Sequence, residues 1–172
     1  MKKVWLIVLA VVVVIGFWIT GRYNNLVKLD ESTKTAWSQV ENVYQRRADL
    51  IPNLVNTVKG AAAQESGVLV AVVNARASAT KTNIDIKDAQ AMAEFQKNQG
   101  ELSSALSRLL VVTENYPQLQ SIQAFRDLTV QLEGTENRIT VERMNYNNIA
   151  KQYNIALRTF PANVVAGLFN FD

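Results

Sequence analysis

An all-α fold carried on one membrane-spanning helix is predicted by three features of this chain. The first is an unbroken apolar run, residues 4–19, preceded by Lys2 and Lys3 and closed by Thr20, Gly21 and Arg22. The second is a pair of long stripes in which apolar residues recur three and four apart, the signature of helices with one buried face. The third is that no stretch alternates with period two for long enough to make a strand.

Residues 4–21, wound as a helix, cover roughly 27 Å against a hydrocarbon core of roughly 30 Å, so one span fits. Val4, Trp5, Ile15, Trp18 and Ile19 belong to it. The two tryptophans sit at its edges, where amphipathic rings favour the headgroup boundary, and Lys2, Lys3 and Arg22 extend outward. A cleaved secretory signal also starts basic and continues apolar, but it needs small residues one and three positions before the cleavage site. Val14 with Gly16 fits that loosely and Ile19 with Gly21 badly, which favours a retained anchor. The positive-inside count ties, with Lys2 and Lys3 against Arg22, Lys28 and Lys34 diluted by Asp30 and Glu31. The basic start running directly into the span favours the N terminus inside and the domain outside.

About 150 residues follow, enough for one domain with a real core. The expected division is an anchor at 1–22, a helical bundle at 23–160 and an apolar tail at 161–172. Without Lys2 and Lys3 the net charge falls from +3 to +1, spread thinly, so a nucleic-acid partner is not expected. Three prolines, seven glycines and 48% hydrophobic residues exclude a disordered or low-complexity chain.

In the first half Leu26, Thr33, Val40, Arg47, Leu54 and Ala61 recur every seven residues, interleaved with Asp30, Trp37, Tyr44, Ile51 and Val58. In the last third the same spacing links Ile122, Thr129, Glu136, Arg143, Ala150 and Leu157, interleaved with Phe125, Leu132, Ile139, Tyr146, Tyr153 and Phe160. Each stripe predicts a very long helix, and the heptad-like spacing predicts coiled-coil packing. Two further helices are expected, over 65–79 and 88–114. Thr80-Lys81-Thr82-Asn83 reads as a turn and Asp85 or Asp88 as a helix start. Asn115-Tyr116-Pro117 ends the middle helix, because the residue before proline avoids the α region and proline suits the first turn of the next helix. Pro52 is expected to kink the first helix. Whether residues 60–67 turn or only bend decides between an antiparallel up-and-down bundle of four long helices and one of three, and both stay open.

Arg47, Glu136 and Arg143 occupy stripe positions that ordinarily hold Leu or Ile, and a buried charge is costly unless paired. Arg46 or Arg47 is therefore expected to meet Glu133 or Glu136 across the bundle and fix its register. Asp49, Asn137, Arg138 and Arg143 complete the predicted polar network. No cofactor or metal is expected, and no catalytic residue. The chain has no histidine and no cysteine, which removes the commonest general base, the thiol nucleophile and the soft metal ligands. Glu133 and Glu136 share a helical face but lack the Glu-x-x-His partners of a di-iron bundle.

Several stretches resemble the LemA family: Tyr23-Asn24-Asn25-Leu26-Val27, Ala36-Trp37-Ser38-Gln39-Val40-Glu41, and the run from Tyr44-Gln45-Arg46-Arg47-Ala48-Asp49 through Leu50-Ile51-Pro52-Asn53-Leu54-Val55. Thr57-Val58-Lys59-Gly60, Leu132-Glu133-Gly134-Thr135-Glu136-Asn137-Arg138-Ile139 and Arg158-Thr159-Phe160-Pro161 extend the resemblance over nearly the whole chain. It implies a single-pass protein of the bacterial inner (cytoplasmic) membrane with an antiparallel helical bundle and no established activity. Family relatives include a magnetosome-formation protein, and some neighbour membrane metalloproteases, which implies another membrane protein, such as a protease, as partner. Ala61-Ala62-Ala63-Gln64-Glu65 departs from the family pattern, which has an aromatic after the glycine and often a histidine before the glutamate, so no role resting on that histidine carries over.

The tail offers Val164, Val165, Leu168, Phe169 and Phe171 with a single charge, and these five are the candidate partner contacts. The expected function is a membrane-anchored scaffold or adaptor of the bacterial envelope that works through protein contacts and self-assembles into a homo-oligomer, in company with the lipid bilayer. A membrane-remodelling protein with an interfacial tail stays open, as does a ligand-sensing bundle with a cavity lined by Trp37, Tyr146 and Tyr153.

Overall fold

The structure, a computed structural model, describes residues 2–80 and 84–171, and among them it contains six α-helices and no strand. Helix α1 is Lys2–Ala61, α2 Ser66–Ala79, α3 Ala89–Thr113, α4 Pro117–Ser121, α5 Gln123–Arg158 and α6 Ala162–Leu168. The described part of the chain falls into two compact units, one built from Met1–Trp37 with Met144–Asp172 and the other from Ser38–Arg143. The boundaries of these units lie inside helices α1 and α5. The expected turn at Lys81-Thr82-Asn83 lies outside the described residues.

In the Ser38–Arg143 unit, the open question over residues 60–67 resolves as a turn. Helix α1 stops at Ala61, a single 3-10 turn occupies Ala63–Glu65, and α2 begins at Ser66. Gly60 and Gly67 stay helical on either side. The chain reverses there, because Arg76 Nε on α2 donates to the carbonyl of Ala48 on α1 at 2.7 Å, two residues equally far from Ala62. That bond also explains why Pro52 interrupts nothing. In an unbroken helix the Ala48 carbonyl accepts from the N–H of residue 52, which proline lacks. Arg76 supplies the donor instead, and α1 continues through Pro52.

Helix α3 starts where Asp88 caps it, its carboxylate accepting from the Gln90 and Ala91 amides at 2.8 and 3.1 Å, which is the usual satisfaction of orphan N–H groups. It ends before Tyr116-Pro117, and Pro117 opens the short helix α4 at its first position. Extended backbone at Ile122 separates α4 from α5. The core of this unit is formed by Ile51, Leu54 and Val58 of α1, Leu69 and Val72 of α2, Leu102, Leu106 and Leu109 of α3, Leu119, and Phe125 and Leu132 of α5. Both stripes read from sequence contribute to it, the second mainly through its interleaved members.

In the Met1–Trp37 and Met144–Asp172 unit, residues 4–17 are exposed throughout, and α1 is long and apolar enough there to cross a membrane. Above that stretch Leu26 is fully buried, with Val165 and Ala166 of α6 packed on it and Ile19, Ala156, Leu157 and Phe171 around them. Trp37 meets Tyr146 edge-on at 5.1 Å, and Tyr153 is buried.

Candidate functional site

The most polar buried place in the Ser38–Arg143 unit is built around Arg47. A helix advances about 100° per residue, so the stripe that buries Tyr44, Ile51 and Leu54 turns residue 47 inward and residue 46 out. Arg47 is 1% exposed. Its Nη1 donates to Ser103 Oγ at 2.8 Å and to Glu136 Oε2 at 2.9 Å. Its Nη2 donates to the Gln99 side-chain oxygen at 2.6 Å and to the Gln99 carbonyl at 3.3 Å. The guanidinium lies over the Tyr44 ring, 5.2 Å from its centre, a cation–π contact. Gln99 Nε2 passes the connection on to the Ala79 carbonyl at 2.9 Å. One guanidinium therefore joins α1, α3 and α5 directly, and α2 through Gln99. Arg47 Nε is buried with no hydrogen-bond partner among the described residues.

Beside this cluster lies a polar cleft of about 260 Å³, lined by Gln96, Ser103, Glu136, Thr140 and Arg143 together with Tyr44 and Arg47. Burial pushes the Tyr44 hydroxyl above its ordinary pKa, against the opposing pull of the Arg143 and Arg47 charges. At the turn end of the same unit, Tyr116 donates its hydroxyl to Glu65 Oε1 at 2.9 Å, and that bond raises its pKa.

The predicted polar residues are thus sorted by helix geometry. Arg47 and Glu136 meet, whereas Arg46, Glu133, Asn137 and Arg138 are exposed. Asp49 is also exposed and accepts from Gln45 Nε2 at 2.8 Å, within its own helix. Glu136 keeps about half its side chain in solvent, so the pair has one buried and one wet end. Sequence reasoning missed Gln99, Ser103 and Arg76. Gln99 sits among the apolar positions of α3, Phe95, Leu102 and Leu106, and that misplaced amide was a legible signal.

The tail candidates divide as well. Val164, Leu168 and Phe169 are exposed, but Val165 is buried on Leu26 and Phe171 packs on Tyr23, with ring centroids 5.5 Å apart. Val165 and Phe171 are thus contacts within the chain, and Phe169, although half exposed, also meets Tyr23 edge-on at 4.9 Å.

A helical bundle on a helix long and apolar enough to cross a membrane, with its buried charge spent on joining helices, defines a class of membrane-associated helical-bundle proteins. The chain belongs to the LemA family, whose sequence profile matches residues 36–172. It is similar to Magnetosome protein MamQ 2 of Paramagnetospirillum magneticum, at 28% identity over 96% of this chain and 69% of that protein. It is also similar to Magnetosome protein MamQ of Magnetospirillum gryphiswaldense, at 25% identity over 87% of this chain and 62% of that one. Protein LemA of Metamycoplasma hominis is 25% identical over 87% of this chain and 66% of its own length. None of these names is that of an enzyme.

Proposed function

We propose that the protein is a scaffold or adaptor, without catalytic activity, held in the bacterial inner membrane with its N terminus inside and its bundle outside, and that it self-assembles through the bundle. The observation that carries this reading is helix α2. Its only charged residue, Arg76, is spent on the Ala48 carbonyl, so the outward positions hold Gly67, Val70, Ala71, Val73 and Ala77 with Ser66, Asn74 and Ser78, and no charge among them. Val70 is 56% and Val73 48% exposed. An uncharged apolar face on a water-facing helix suits burial against another protein. Tethering in two dimensions raises the effective concentration of such faces. A second copy and a different membrane protein, such as a protease, are the partners this reading admits.

The test is the mass of the full chain in a mild detergent, with and without Val70→Glu and Val73→Glu. An assembly that falls apart in the double variant supports the reading. A monomer at every concentration in the unsubstituted chain discards self-assembly.

A further inference from the structure

Helix α6 joins its own chain at the mouth of the membrane span. Tyr23 touches Phe169 and Phe171 edge-on at 4.9 and 5.5 Å, and Ile19, inside the apolar run, packs on the cluster of Leu26, Val165 and Ala166. Tyr23 is only about 7 Å along the helix from Trp18, at 1.5 Å per residue. Trp18 itself has Arg22 stacked over its ring at 5.6 Å, the pairing of an interfacial aromatic with an outward-reaching cation. The tail therefore sits at headgroup depth.

At that depth its free side is uncharged and largely apolar, with Asn163 and Asn170 its exposed polar residues. Val164 and Leu168, four apart and so on one face, are 52% and 68% exposed, and Phe169 beside them is 51% exposed. Residues 159–171 carry no charge. Backbone groups at both ends of the helix are paired within the chain. Asn163 N donates to the Thr159 carbonyl at 3.0 Å and Val164 N to that of Pro161 at 3.2 Å. At the other end Asn170 takes a left-handed conformation, φ 54°, and Phe171 N reaches back to the Ala166 carbonyl at 3.0 Å, closing the helix as a Schellman turn. That turn also returns the Phe171 ring to Tyr23.

We infer that α6 is an interfacial helix whose Val164, Leu168 and Phe169 side chains insert into the headgroup–acyl boundary of the bilayer beside the span. With no lysine or arginine in residues 159–171, insertion is driven by apolar area alone and is independent of anionic lipid and of salt. The inference rests on the membrane-span reading of residues 4–19.

The chain has no cysteine, so single nitroxide labels at Leu168→Cys and, separately, Val164→Cys report on these positions alone. The labelled full chain is reconstituted in phosphatidylcholine vesicles, with and without phosphatidylglycerol, and collisions with oxygen and with a water-soluble nickel complex are compared. A third label at Val11→Cys reads the span itself. Labels at 164 and 168 that shift toward oxygen and away from nickel, equally in both lipids and at high salt, are the expected result. Nickel-accessible labels at 164 and 168 beside a lipid-buried label at 11 overturn the inference and leave the span intact. Labels shielded from both reagents, with spin–spin broadening that disappears on dilution with unlabelled chain, place a second copy on α6 and overturn it too. A shift that needs phosphatidylglycerol overturns the apolar account of insertion.

Discussion

The two compact units are held by different chemistry. In Ser38–Arg143, side-chain hydrogen bonds run between helices, from Arg47 to Gln99, Ser103 and Glu136 and from Arg76 to Ala48, and between their connecting turns, from Tyr116 to Glu65. In Met1–Trp37 with Met144–Asp172, Lys34 pairs with Asp30 and Glu31 inside one helix, while the contacts between helices described above are rings and aliphatic groups. Directional bonds fix a register, because a guanidinium with four acceptors in place has one low-energy position. Apolar contacts tolerate exchange of one apolar neighbour for another. The polar unit is thus fixed by the Arg47 cluster, whereas the packing contacts named in the apolar unit leave more latitude.

That contrast breaks most sharply at the two buried anchors. Arg47→Ala leaves a void and strips Gln99 and Ser103 of their partner, so it should cost about 3 kcal/mol. Leu26→Ala removes a comparable buried side chain from the apolar unit at a cost of about 3 kcal/mol. Urea unfolding gives both losses. Amide exchange separates them: Arg47→Ala should accelerate residues around 99–103, and Leu26→Ala those around 163–169. Equal acceleration everywhere in both variants would erase the distinction.

A smaller effect tests the proline. Arg76→Gln should cost about 1.5 kcal/mol by leaving a part-buried carbonyl short of its donor. In a Pro52→Ala background the residue 52 amide supplies that donor, so the loss should shrink by about 1 kcal/mol. Additive losses in the double-mutant cycle would mean that Arg76 acts by packing alone.

The smallest effect is a pH dependence shared by both units. Burial raises the pKa of Tyr44 in one and Tyr146 in the other, and the Glu65 bond raises that of Tyr116. A raised phenol pKa means that the unfolded chain releases its proton first. Stability from these groups is therefore fully present below about pH 10 and is lost as pH rises beyond it. Tyr44→Phe should flatten the decline for the polar unit and Tyr146→Phe for the apolar one. Alkaline titration followed by circular dichroism reads both.

Much of the helical architecture was legible because periodicity is a local property of long helices. The stripe through Leu26, Val40 and Leu54 is buried as spaced, and Asp88 and Pro117 mark helix starts. The unpredicted parts depend on residues distant in sequence. Nothing near Pro52 announces that Arg76 will satisfy Ala48, and nothing near residues 60–67 decides between a bend and a turn until α2 packs back. The short helix α4 carries too few residues to display a period. The Arg47 site was half readable: a charge on an apolar stripe demands a partner, but the choice of Glu136 over Glu133 rests on which carboxylate the packed helix rotates toward it.

The Arg76 bond has a further consequence for the order in which the chain is made. Helix α1 leaves the ribosome before α2, and until Arg76 follows, the Ala48 carbonyl can be served only by water. The proline thus leaves a gap in the α1 ladder that a side chain 28 residues further along the chain fills.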